Sequence, residues 1–349
     1  MDFYFPDRVA WQHSQGLYHA AAYLGREAVI VVRPATPYVC LGYHQNARQE
    51  IDLDFAARHA LPVFRREVGG GAVYLDSQQL FYQFVLRRDH PALPASKAEL
   101  YRRFLEPVAE TYRTFGVEAR YRPVNDIVTA EGRKISGTGA GEIGDMIVLV
   151  GNFILDFDYD MMSKVLRVPD EKFRDKVYKT MRDNLTTIQR ETGHMPETAE
   201  LAEALRHRLE PLLGTLDQRE VDAEWLACSE RLMAERLQPD WLFEADRPQA
   251  EREVKIVEGV HVIERALKTP GGLLRVTAVV RDGHLGDVHL SGDFFFYPAP
   301  RLIDLARALN GTLAQPDAIA ATINAFYQRH AIESPGVHVE NFAEALSVA

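Results

Sequence analysis

The chain has 349 residues, about two domains at roughly 150 residues each, and can bury a core without disulfides or metal. Its 40 basic and 50 acidic side chains leave a formal net charge of −10, which excludes a generally basic nucleic-acid binder and disfavours an anionic membrane surface. Cys40 and Cys228 stand in no CxxC pattern and exclude a disulfide-stapled secreted scaffold. MDFYFPDRVAWQHS lacks the basic-then-apolar order of a signal peptide, and no apolar run approaches about 18 residues. The expectation is a soluble, cytoplasmic protein with no nucleic-acid or membrane partner.

In chain order, Ala10 to Leu24 reads as a helix and AVIVVR, Ala28 to Arg33, as a buried strand. YVCLG, Tyr38 to Gly42, is a second strand, with Cys40 a buried small hydrophobe within it. Phe64 to Arg66 lead into Gly69–Gly71, then AVYLD, and LFYQFVL (Leu80 to Leu86) pairs as an antiparallel strand. Ser96 with Glu99 forms a capping box, each side chain bonding the other's free N–H. The helix it opens buries Leu100, Phe104, Val108, Tyr112 and Phe115 and stops at Gly116. Asn125 to Gly137 reads as two strands turning at Glu131-Gly132, and Met146 to Asp158 as another. Ser163 to Gln238 is largely helical, with Thr198 opening one helix and Gly214 closing it.

A charged stretch near 244–252 reads as a linker that lets one part move against the other. Beyond it, LLRVTAVV and HLGDVHL flank Asp282-Gly283, a strong hairpin signal, and SGDFFFYP follows as a third strand. Helices from Pro300 to Asn310 and Pro316 to His330 complete a small α+β domain.

Two motifs carry the chemistry. RREVGGGAVYLD (Arg65 to Asp76) places three glycines in a strand context, where glycine is costly unless backbone or ligand must approach closely. The readings are a bulge or hairpin, or an anion cradle, and the adjacent arginines favour the cradle. GRKISG pins Lys134 between Gly132 and Gly137; the readings are an exposed turn lysine, or an ammonium set against phosphate or developing negative charge. Asn125 and Asp126 lie one strand earlier and read as a turn pair or, with phosphates, as Mg²⁺ oxygen ligands. Gly139, Gly141 and Gly144 satisfy GxGxxG but precede a strand, and no Walker loop, HExxH or GxSxG occurs.

Together RREVGGGAVYLD, the later Asn-Asp and GRKISG, with LGYHQNARQEID upstream (Leu41 to Asp52), resemble the lipoate–protein ligases of the biotin/lipoate ligase superfamily. KTPGGLLRVTAVVRDGHLGDVHLSGDFFFYP resembles the small accessory domain that such ligases carry. The resemblance implies an α+β fold: a catalytic domain of mixed and antiparallel sheets with flanking helices over 1–245, and an accessory domain over 246–349. It also implies two steps, activation of lipoate by ATP to lipoyl-AMP and transfer to a lysine of an acceptor. That acceptor would be a lipoyl domain of a dehydrogenase E2 subunit, or a lipoate-binding or glycine-cleavage-H-like protein.

Carried over by motif, Lys134 contacts the carboxylate and α-phosphate. Arg66, Gly70, Gly71, Ala72 and Val73 line the acyl and phosphate pocket with Gly137 and Gly151, and Tyr74 packs near adenine. Asn125 and Asp126 sit on the nucleotide side, Asp126 as Mg²⁺ ligand, while Val73, Leu75 and Val150 form the apolar acyl slot. Val68, Leu75 and Val150 stand where the family usually has Ser or Thr, His and His, so the slot is unusually apolar and lipoate or octanoate could enter. Related octanoyl and lipoyl transferases need a cysteine near the lysine loop. None lies between Cys40 and Cys228, so a transferase requires Cys40 to fold into the site. A non-catalytic lipoyl-carrier-binding homologue is the remaining alternative.

Overall fold

The computed structural model of the chain describes residues 1–168, 170–246 and 260–348. A six-stranded mixed sheet runs in the order Thr138–Ile143, Met146–Ile154, Gln79–Arg87, Ala28–Pro34, Asp2–Val9, Asp217–Arg219. The first four are antiparallel neighbours, and the last two add in parallel. Neither those last two strands nor Thr138–Ile143 was among the sequence expectations.

Strand Gln79–Arg87 shows why the sheet is buried on both faces. Its period of two sends Leu80, Tyr82, Phe84 and Leu86 into a core with helix Lys97–Thr114. Phe81 and Val85 enter a second core with helix Trp11–Tyr23. That helix crosses Ala223–Arg236 so closely that a Cβ on Gly16 would strike the Ser229 hydroxyl.

Ser96 Oγ accepts from Glu99 N at 3.3 Å, as expected of an N-cap. The return half of the box is replaced: the Glu99 carboxylate accepts from Arg102 Nε at 2.8 Å. A charged partner one turn on outcompetes a backbone amide that water also solvates. The stretch from Ser163 is broken into separate helices, among them Tyr159–Val165, Glu171–Asn184 and Thr198–Leu213.

Two three-stranded sheets flank the large one: Val63–Arg65, Tyr38–Leu41, Val73–Leu75, and Ala119–Arg122, Asp126–Thr129, Lys134–Ser136. They hold the glycine loop and Lys134. A fourth, antiparallel sheet of Val260–Thr269, Gly272–Arg281 and His284–Gly292 packs with three helices around its own core. The Asp-Gly turn forms as expected, with φ of 50° at Asp282 and 76° at Gly283. Of the expected linker, residues 247–252 lie outside the described residues.

SGDFFFYP is not a third strand. The strand ends at Gly292, and Val260–Thr269 takes the third place in the sheet. The phenylalanines alternate between two cores instead of across one sheet. Phe294 and Phe296 enter the small core, while Phe295 and Tyr297 enter the large one. Tyr297 Oη lies 3.1 Å from Tyr101 Oη and donates to Ala140 O at 3.1 Å.

Phe295→Ala removes a buried ring from the core that joins the two sheets, and should lower the unfolding free energy by about 3–5 kcal/mol. Chemical denaturation reads it, and a loss below about 1 kcal/mol would mean the connector contributes no packing.

Candidate active site

One cavity of about 390 Å³ gathers the sequence motifs. Its wall includes Arg66, Gly70, Gly71, Ala72 and Val73 from the glycine segment, and Asn125, Asp126, Lys134, Gly137 and Gly151 from the strands beyond. Leu75 and Val150, expected in an acyl slot, line it too. Tyr74 does not. Alternation along Val73–Leu75 turns it to the other face, into a core with Val39, Leu41 and Met162. Val68 also stays outside the wall, fully buried against Gly139 and Gly141.

The glycine loop is held by its neighbours rather than left bare. Arg66 Nη2 donates to Gly69 O at 2.8 Å and to Gly71 O at 3.0 Å. Gly70 has φ +97°, a conformation that favours glycine. Gly42, the glycine of LGYHQN, abuts the Gly70 carbonyl so tightly that a Cβ there would overlap it. The Gly42 amide donates to Gln45 Oε1 at 3.0 Å, so this upstream segment acts as a backing plate for the loop.

Lys134 lies in the wall, with 36% of its side chain exposed and its ammonium 2.7 Å from Asp126 Oδ1. Gly137 lies beside it, its Cβ position 3.9 Å from Lys134 Cε, an ordinary contact distance. The Gly137 amide donates to Asn152 Oδ1 at 2.9 Å, and Asn125 Nδ2 donates to Thr138 O at 2.5 Å. Burial works to raise the Asp126 carboxyl, but Lys134 and Arg122 outweigh it and hold it below its ordinary value. Both of its oxygens are engaged, Oδ2 lying 2.9 Å from Arg122 Nη2. Among the described residues no group of three or more His, Cys, Asp or Glu could hold a metal.

Cys40 lines the cavity. It is 0% exposed, and its Sγ lies 3.6 Å from Arg66 Nη1. Burial pushes its thiol pKa up, with Arg66 pulling the other way. Sequence reasoning placed Cys40 as buried, which it is, but not as part of the wall.

Other wall residues were also missed. Gln15, Tyr18, Phe81 and Gln83, all buried, also line it. Lys268, Gly271, Gly272, Asp293 and Phe295 come from the carboxyl-terminal part. KTPGG was visible as a motif, yet nothing local in it signals a cavity more than a hundred residues away in sequence.

The model of the lipoyl protein ligase A/B catalytic domain matches residues 8–210. Lipoate-protein ligase A subunit 1 of Thermoplasma acidophilum is 29% identical over 190 residues, 52% of this chain and 71% of its own length. An octanoyltransferase LipM of Kyrpidia tusciae is 27% identical, over 59% of this chain and 83% of that one. The solved P. falciparum LipL1 in complex with lipoate shares the fold at TM-score 0.67 and 16% identity, covering 98% of this chain and 97% of its own. The described residues contain no helix long and apolar enough to cross a membrane. With its fold, glycine loop and lysine strand in this arrangement, the chain belongs to the family of the lipoyl protein ligase A/B catalytic domain, an enzyme family whose curated relatives of this chain include ligases and octanoyltransferases.

Proposed function

We propose that the protein activates lipoate with ATP and transfers the lipoyl group to a lysine of an acceptor lipoyl domain. A lipoate carboxylate oxygen attacks the α-phosphorus, forming the mixed anhydride lipoyl-AMP and releasing pyrophosphate. The neutral ε-amine of the acceptor lysine then attacks the acyl carbonyl; the amide forms, AMP leaves and the amine proton passes to solvent. Residues 1–245 would be the catalytic unit and 246–349 the accessory one. The acceptor would be a lipoyl domain of a dehydrogenase E2 subunit, or a lipoate-binding or glycine-cleavage-H-like protein.

The observation that carries this reading is Lys134: a partly exposed ammonium in the cavity wall, steered by Asp126. It stands where negative charge shifts in both steps, and a pre-placed cation there lowers both barriers. Asn125 and the glycine loop supply the polar wall for the nucleotide, and Val73, Leu75 and Val150 the apolar one for the acyl chain. The donor set does not fit a protein-held Mg²⁺, because both Asp126 oxygens already face cations. No step is assigned to the metal.

The second reading is an octanoyl or lipoyl transferase, favoured by the place of Cys40 in the wall. Thioester chemistry requires a thiolate. A thiol with no exposed surface and a pKa raised by burial is a poor one, which supports the ligase. ATP-dependent pyrophosphate release with lipoate or octanoate separates the two. Binding of these acids without any release would sink the ligase and leave a transferase or a non-catalytic binder.

Lys134→Ala should lower the rate of pyrophosphate release about 10²–10³-fold while the protein stays folded, its thermal melt lowered only by the modest loss of the ion pair with Asp126; a melt lowered by many degrees would make the lysine structural. Cys40→Ser should retain acyl transfer within a few-fold, and loss of all transfer would restore the thioester route. The depressed Asp126 carboxyl contributes stability above its unfolded pKa of about 3.9, and that stability is lost as pH falls through the lower folded value. Asp126→Asn should therefore be less stable than the wild type at pH 7, with a gap that narrows on acidification toward pH 3. A gap independent of pH would show that the ion pair with Lys134 is energetically silent.

A further inference from the structure

The small carboxyl-terminal sheet has two unlike faces. Alternation along Gly272–Arg281 sends Leu274, Val276, Ala278 and Val280 into the small core. The residues between them face the other way. Arg275 is one of these, and its Nε lies 3.0 Å from Glu50 Oε1, in the segment Leu41–Asp52 that backs the glycine loop. Residues paired across a sheet share a face. Leu267 pairs with Leu274 and so takes the side of the small core, whereas Lys268 pairs with Leu273 and takes the side of Arg275. The lysine thus stands on the face turned toward the first half of the chain, and it lines the cavity there with Pro270, Gly271 and Gly272.

Three basic side chains, Arg66, Lys134 and Lys268, contribute to the cavity wall. Two of them are committed. Arg66 donates to the carbonyls of Gly69 and Gly71, and the Lys134 ammonium lies 2.7 Å from Asp126 Oδ1. Lys268 is exposed and has neither an ion pair nor a side-chain hydrogen bond among the described residues. The wall also carries two carboxylates. Asp126 is held between Lys134 and Arg122. Asp293 accepts from Leu273 N and forms no ion pair with Lys268.

A triphosphate brings several negative charges into such a cavity, and cations already spent on carboxylates and carbonyls offset little of them. An ammonium with three donors on a flexible stem can follow the phosphate oxygens. We infer that Lys268 binds the phosphate groups of the nucleotide, so that the carboxyl-terminal sheet contributes a side chain to the ATP site. The inference rests on the ATP-dependent reading above. It adds to that reading a residue outside the stretch 8–210 matched by the catalytic-domain family.

Calorimetric titration of the full-length protein with ATP, AMP and adenosine, without lipoate, tests this. Lys268→Gln should weaken ATP roughly tenfold, as expected for one lost charge-assisted hydrogen bond. It should weaken AMP no more than that and leave adenosine unchanged. Lys268→Arg should restore most of the ATP affinity. The thermal melt of Lys268→Gln should match the wild type, since the side chain has no partner to lose. Arg281→Gln removes an equal charge from the exposed far end of strand Gly272–Arg281 and should bind ATP as the wild type does.

Unchanged ATP affinity in Lys268→Gln overturns the inference, and so does a loss that adenosine shares. An equal loss in Arg281→Gln would reduce the effect to net charge and overturn the contact. A variant weakened toward lipoate alone would assign the ammonium to the acid and overturn it as well. The expected losses in a protein that releases no pyrophosphate with lipoate would leave the inference standing and remove the ligase. A wild type that binds no nucleotide would remove both.

Discussion

Arg65 is the buried cation on which the architecture of the site depends. Its side chain is 0% exposed and donates to the carbonyls of Gly42, Tyr43, Gln45, Trp241 and Leu242 at 2.6–3.2 Å. Asp246 Oδ1 lies 3.6 Å from it. Burial lowers its pKa to about 10, with Asp246 and other anions pulling back, so it remains charged at neutral pH. A planar guanidinium with five donors is the side chain that can gather so many carbonyl oxygens. Segments nearly two hundred residues apart are thereby clamped to one point, and Asp246 extends the clamp through its acceptance from Ala47 N at 2.6 Å.

The next residue uses the same chemistry on the cavity side. Arg66 spends its donors on Gly69 and Gly71 carbonyls, with Cys40 beside it. The loop thus keeps its shape through an internal cation, and the Gly42–Gly70 approach sets how close the two backbones come. Arg66 turns its charge into the loop it braces, while the Lys134 ammonium is partly exposed. On the proposed reading the two motifs divide the labour between shaping and charge stabilisation.

Much of this was legible in the sequence because the constraints are local and exclusive. Few residues besides glycine tolerate the φ of Gly70 or the overlap at Gly42, and the lysine strand gains meaning from following that loop in order. Tyr74 was misassigned because a three-residue strand shows too little alternation to tell which face meets the cavity. SGDFFFYP failed for a related reason: apolar alternation reports that both sides are buried, not whether one sheet or two cores bury them.

The wall supplied by the carboxyl-terminal part was the least legible, and it constrains the site most indirectly. Gly271 donates to Gly336 O at 2.8 Å, and Gly272, at φ +134°, leaves no space for a Cβ beside Asp293. The turn bearing Lys268 is therefore fixed by the small core, not by the cavity it borders. Arg275 reaches Glu50 at 3.0 Å, and Gly292 N donates to His44 O at 3.0 Å. His44 itself is buried, stacked on Phe294, with its pKa lowered to about 3 by burial and by Arg65. The segment that backs the glycine loop on one side thus receives the small sheet on the other. The cavity inherits its geometry from two cores joined through Arg65 and LGYHQN, so a change in how the small core packs would be felt at the glycine loop before it reached Lys134.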